Sequence, residues 1–188
     1  MLFYVKKWIL LDLLVTLVLA CAGYGSIRYF SLSVHIEWWN AATALYSFIA
    51  FAAIGSWTFL VQAGYAWFKG KVFATNLTLS LAQQYAHASV AQALFGAITA
   101  SCGEEVFFRG FVHTKWGLFA GAAAFGIAHW GPKDIRVVSY WAFMHGLLFG
   151  LAYQITGNLA VPMISHGVFD LSAMLYFRRY VAEHTAAT

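Results

Sequence analysis

Between Asn40 and Phe68 the chain carries no Asp, Glu, Lys or Arg. About 20 apolar residues in a row are enough for a helix to cross the hydrocarbon core of a bilayer. Several comparable runs follow, and composition agrees with them. Of 188 residues, 62% are hydrophobic and 10% charged, whereas soluble domains carry about 25% charged residues. A soluble fold of this length cannot hide so much apolar surface, because burial at this size is far from complete. The expectation is an all-α, polytopic transmembrane helical bundle. No linker-like stretch or internal repeat interrupts it.

Six spans are expected, over about Trp8–Gly25, Asn40–Phe68, Thr78–Val112, Trp116–Trp130, Val137–Ile155 and Leu159–Tyr180. Pro132 stops the fourth and Thr156-Gly157-Asn158 the fifth, since proline removes a helix donor and glycine loosens the backbone. Residues 1–75 read as N-terminal membrane spans, 76–180 as a catalytic membrane core, and 181–188 as a tail. Lysine and arginine orient the bundle. With the N-terminus cytoplasmic, the inner segments hold Lys6, Lys7, Lys69, Lys71, Lys133, Arg136, Arg178 and Arg179, while the outer loops hold Arg28 and Lys115. The first span reads as a retained helix rather than a cleaved signal. The net charge of +4 is split into short clusters between apolar runs, which suits membrane topology and not nucleic acid. Cys21 and Cys102 lie in apolar runs and read as small buried hydrophobes. Asp12 snorkels toward Lys6 and Lys7. Gly117/Gly121 and Gly146/Gly150 are small-xxx-small pairs that allow close helix packing. Trp8, Trp38, Trp39, Trp67 and Trp116 sit near span ends as interface anchors.

Charge inside a bilayer is expensive and calls for a partner or a task. The residues to account for are Glu104, Glu105, Arg109, His129, His145, His166 and Asp170. Glu105 and Arg109 are four apart and share a helix face. Glu104 is turned about 100° from Glu105, so one carboxylate is neutralised and the other is left for chemistry. His166 and Asp170 also share a face, as do Phe125 and His129. Depth is an independent check. From the turns near His113–Trp116 and Gly157–Leu159, the rise per residue puts Glu104 roughly 15 Å deep, His129 roughly 20 Å, His166 roughly 10 Å, Asp170 roughly 16 Å and His145 roughly 15 Å. Four helices thus bring ionisable groups to one level, expected in the outer half of the bilayer.

Carboxylates and histidines at one depth suit water activation, with a carboxylate as general base and a histidine to position water or stabilise an oxyanion. The same residues could hold zinc or carry protons in a transporter. A path across the membrane would spread them over its whole depth, which weighs against the transporter.

Three ordered motifs carry a resemblance. Glu104-Glu105-Val106-Phe107-Phe108-Arg109 has the form EExxxR, Phe125 to His129 the form FxxxH, and His166 to Asp170 the form HxxxD. Together they resemble the CAAX-protease and bacteriocin-processing family of membrane proteins, over about Ser101–Asp170. The resemblance implies a glutamate-dependent intramembrane endopeptidase with a conical helical fold. Glu104 would be the general base, His129 would help hold the water, and His166 and Asp170 would stabilise the oxyanion. Glu105 and Arg109 would support the site as an ion pair. No cofactor is required; a divalent metal is the less favoured variant, and would fall to Glu104, His129 and His166. The partners implied are the lipid bilayer and a membrane-anchored protein or peptide substrate, and the location an integral, multi-pass position in a bacterial plasma membrane.

Two features depart from that pattern: Asp170, and a chain short for the family with a tight spacing from Glu105 to His129, which leaves a cavity built for a prenyl chain unassured. Asp170 stands where the prenyl-protein proteases have asparagine, and an ionised aspartate cannot donate to an oxyanion; it must be protonated or orient His166 instead. An outer-half site would also suit exported substrates. His145 lies outside the motifs and reads as a packing residue ahead of a site residue. His35, His87, His113 and His184 read as incidental. A cysteine protease on Cys102 is opposed by its apolar setting. The competing class is a non-enzymatic scaffold or bacteriocin-immunity protein of the same fold.

Overall fold

The computed structural model describes residues 2–83, 88–130 and 136–185, with side chains described except at 2–9, 12, 71–73, 184 and 185. Pro132, Lys133 and His87 lie outside the described residues. So do the side chains of Lys6, Lys7, Trp8, Asp12, Lys71 and His184.

The described residues form an all-α bundle. Its helices are α1 (Leu2–Tyr29), α2 (Ala41–Lys69), α3 (Lys71–Ala82), α4 (Val90–Glu105), a π-helical continuation Val106–His113, the short α5 (Thr114–Trp116), α6 (Leu118–Ala128), α7 (Val137–Thr156) and α8 (Ala160–Thr185). By length and composition α2 and α8 can each cross a membrane. The surface agrees: Leu14, Phe48, Ile98, Phe119, Tyr140 and Ile155 are exposed, while Glu105 and Arg109 are 0% exposed. Apolar groups outside and charges inside is the arrangement expected when lipid, not water, is the solvent.

Local signals fix the helix ends. Asn40 Oδ1 accepts from Thr43 N at 2.6 Å and caps α2. Ser89 and Gln92 form a reciprocal capping box on α4, satisfying two orphan N–H donors. The run Thr78–Val112, expected as one span, is divided. Gly70 ends α2 at φ 87°, α3 begins at once, and α4 begins only at Val90. A hydropathy window does not see these caps, because both sides of the break are apolar. Pro162 is tolerated in the first turn of α8, where its missing N–H has no intrahelical acceptor.

Close helix contact is achieved through small residues. A Cβ on Gly146 would stand 2.9 Å from the Ala122 Cα, so α6 and α7 touch backbone to backbone. Gly121 and Gly150 are similarly tight. Gly117 is the exception to the packing expectation. It has open space around its Cβ position and φ 89°, and it makes the turn between α5 and α6.

One end of the bundle is tied by Asn158. Its amide donates to Glu37 O at 2.8 Å and to Thr43 Oγ1 at 2.9 Å, and its Oδ1 accepts from Glu37 N at 2.9 Å. Leu159 N adds a bond to His35 O. The loop before α2 is thereby fastened to the turn between α7 and α8. His113 is buried against Tyr153, with ring centroids 5.4 Å apart, and does not line the chamber described below.

Candidate active site

The two adjacent glutamates are sorted by the last turn of α4. Glu105 points into the bundle, where its Oε1 accepts from Arg109 Nη1 at 2.8 Å and lies 2.8 Å from His166 Nδ1. Glu104 points into a chamber of about 560 Å³ between α2, α4, α6, α7 and α8. Its Oε2 is buried without a hydrogen-bond partner and lies 4.0 Å from His166 Nε2. Asp170 Oδ2, one turn along α8, lies 3.3 Å from the same nitrogen.

His166 therefore sits between carboxylates at both ring nitrogens. Phe149 stacks on its face, with centroids 4.6 Å apart, and Phe125 meets it edge-on at 5.8 Å. The Arg109 guanidinium lies over the same two aromatics, 4.5 Å from the Phe125 centroid and 5.2 Å from that of Phe149. A second donor of Arg109 reaches Gly146 O at 3.3 Å. Fully buried charge is tolerated only when paired and hydrogen-bonded, and Arg109, Glu105 and His166 meet that condition as a chain.

Phe125 also explains the spacing of its motif. Its carbonyl lies 2.8 Å from His129 Nδ1. A carbonyl only accepts, so Nδ1 carries the proton, and in the neutral ring Nε2 is left as an acceptor. His129 closes α6 on the chamber wall. His145 lines the chamber as well, with Nε2 3.0 Å from Thr58 Oγ1.

Among the described residues no three His, Cys, Asp or Glu side chains converge as a metal site. Cys102 is a half-buried free thiol and is not part of the chamber wall.

Glu104, His129, His145, His166 and Asp170 thus share one chamber, while Glu105 and Arg109 stand behind it. Sequence reasoning missed the wall supplied by α2. Phe51, Gly55, Thr58 and Gln62 line it at helical spacing. The available signal was Thr58 and Gln62, four apart inside a run without charge. The chamber runs from His166 to Phe177 along α8, and a second cavity of about 350 Å³ shares its Phe59, Gln62, Trp141 and Tyr176 wall and reaches Tyr65 and Tyr180. Both extend toward the end bearing Lys69, Arg136, Arg178 and Arg179 and away from the Asn158 end.

Residues 86–172 match the family model described as type II CAAX prenyl endopeptidase Rce1-like. Over this segment the chain is similar to the Rce1-like family. The chain is also 32% identical over 87 residues to YpbD of Bacillus subtilis, an uncharacterised protein. That alignment covers 44% of this chain and 43% of YpbD, so the chain spans less than half the length of the curated relative it matches. No solved structure matches the chain. Rce1-like proteins are membrane proteins, in keeping with the apolar outer surface. The Rce1-like segment contains all seven ionisable residues of the cluster, whereas Thr58 and the rest of the α2 wall fall outside it.

Proposed function

We propose that this chain is a multi-pass intramembrane endopeptidase of the bacterial plasma membrane. It cleaves a membrane-anchored protein or peptide using water activated by Glu104. The observation that carries this reading is the division of labour between the two glutamates. Glu105 is held through its Oε1 by Arg109 and His166 behind the chamber, while Glu104 lines the chamber; Oε2 of each is buried without a hydrogen-bond partner.

In this mechanism water occupies the space between Glu104 and His129. One hydrogen goes to the Glu104 carboxylate and the other to the accepting Nε2 of His129. The water oxygen attacks the scissile carbonyl carbon as Glu104 takes its proton. When the tetrahedral intermediate collapses, the C–N bond breaks and Glu104 returns that proton to the leaving amine. Asp170 orients His166, whose Nε2 lies 4.0 Å from Glu104. No metal takes part. The chamber's extension toward the basic end favours substrate that reaches the site from the cytoplasmic side, including lipid-modified C-terminal segments. It does not favour the exported substrates that an outer-half site would serve.

The test is cleavage of a mixed library of membrane-anchored peptides by purified protein in lipid. Wild type is expected to cut, with chelator present or absent, and Glu104→Gln to leave the library intact. Equal products from both proteins would overturn the reading and favour a non-enzymatic scaffold. Loss of activity with chelator alone would overturn the metal-free mechanism.

A further inference from the structure

A peptide drawn into a site inside a bilayer loses the water that bonded its backbone. Each N–H and C=O it carries there needs a partner from the protein. The wall shared by the chamber and the second cavity has groups free to serve. Helix α2 turns a row of polar side chains inward, and the first members of the row are bonded within the protein. Thr43 bonds Glu37 O and Asn158, Ser47 bonds Val161 O, and Thr58 bonds His145. Gln62 continues the row one turn past Thr58 and lines both cavities. Among the described residues its amide has no partner, and its atoms are not among those sealed off by packing.

Trp141 of α7 lines the same two cavities, and its Nε1–H is buried without an acceptor. Trp57 Nε1 is also unpaired, but Trp57 lines neither cavity. The two helices bring Gln62 and Trp141 to one level. Helix α2 runs toward the basic end and α7 runs away from it, and the contact between Thr58 and His145 sets their register. One turn on, about 6 Å nearer the basic end, Gln62 comes level with Trp141. The rest of the shared wall is Phe59, Leu81, Tyr176 and Phe177, with no charged or imidazole side chain. Such a wall does not match an ion. A primary amide carries a donor and an acceptor side by side, as a peptide unit does, and the indole adds a further donor. The surrounding rings suit apolar side chains.

We propose that Gln62 and Trp141 bind the main chain of the substrate and so fix which bond reaches Glu104. The Gln62 amide pairs with one peptide unit, and Trp141 Nε1 donates to a carbonyl at the same level. The step of about 6 Å from Thr58 and His145 spans about two residues of extended chain. The peptide unit held is therefore about two to three residues from the cut. The proposal rests on the endopeptidase reading for its ligand, a polypeptide in extended form. No proton moves at either residue. Helix α2, which lies outside the Rce1-like segment, thereby takes part in substrate recognition.

Ester scanning tests it on the intact protein in lipid vesicles. The probes are peptides anchored by an apolar tail, each with one peptide bond near the cut replaced by an ester, which has no N–H and a weaker carbonyl acceptor. In wild type, an ester about two to three residues from the cut is expected to lower kcat/KM about 3–10-fold, the range for one hydrogen bond, and to act mainly on KM. Gln62→Met and Trp141→Phe are each expected to lower kcat/KM on the all-amide peptide by a similar factor. Each should also be less sensitive than wild type to that ester. A residue that only packs would lower the rate and leave the effect of the ester unchanged. Equal ester sensitivity in wild type and both variants overturns the proposal, as does a wild type that cuts with no sensitive position in that range. Binding of the same peptides by Glu104→Gln separates recognition from chemistry. Ester-sensitive binding that Gln62→Met abolishes, with no cutting by wild type, upholds the peptide site and overturns the endopeptidase reading. Neither binding nor cutting overturns both.

Discussion

His166 Nδ1 and Arg109 Nη1 converge on the same oxygen, Oε1 of Glu105, each at 2.8 Å. Glu105 is thus the counter-charge for two buried donors on different elements. Glu105→Gln leaves both partly uncompensated. Removing one partner of a buried charged pair costs about 3–5 kcal/mol. Denaturant unfolding in detergent micelles should show a loss of that order, together with loss of activity. Glu104→Gln, which empties no such pairing, should unfold like wild type while failing to cleave.

Asp170 is expected to act through its acceptor oxygen rather than its charge. Asp170→Asn keeps an oxygen 3.3 Å from His166 Nε2 and should retain most activity. Asp170→Ala removes it. A hydrogen bond to a charged group is worth about 1.5–3 kcal/mol, so kcat should fall about 10–100-fold. If the asparagine variant is as impaired as the alanine, charge is the property that matters.

Gly146 is set by the distance between α6 and α7. An alanine Cβ there would meet the Ala122 Cα at 2.9 Å. Overpacking of this kind costs about 1–3 kcal/mol. Thermal unfolding of Gly146→Ala should show that loss. Gly64→Ala, with open space around its Cβ position, should not.

Asn158→Ala should release the loop before α2. The side chain is 6% exposed and bonds Glu37, Thr43 and its own turn. Its loss leaves the buried partners unsatisfied, at about 1–3 kcal/mol. Limited proteolysis between residues 31 and 40 should be faster than in wild type.

The legible parts were those decided within one helix. Glu105 and Arg109 pair at i,i+4 as their spacing requires. His166 and Asp170 meet for the same reason. The division of the two glutamates follows from an angle of about 100° per residue. What was not legible depends on how helices are placed against one another. Nothing in the spacing of His166 says that its other nitrogen meets Glu105 rather than a substrate. Nothing in an apolar run says which face of α2 closes the chamber. The direction in which the chamber extends depends on the packing of α2, α7 and α8, which no single periodicity encodes.

The π-helical continuation of α4 has a consequence for how this chain tolerates change. A π turn holds one residue more than the α turn it replaces. Val106–His113 therefore contains slack, lying just beyond the residue on which the chemistry is proposed to depend. Deleting one residue between Gly110 and His113 is expected to be absorbed by tightening to α geometry, with Glu104 and the Glu105–Arg109 pair undisturbed. The same deletion between Val90 and Gly103 turns Glu104 by about 100° and out of the chamber. The helix is thus compliant on one side of the reactive carboxylate and unforgiving on the other, and length variation among its relatives should accumulate on the compliant side.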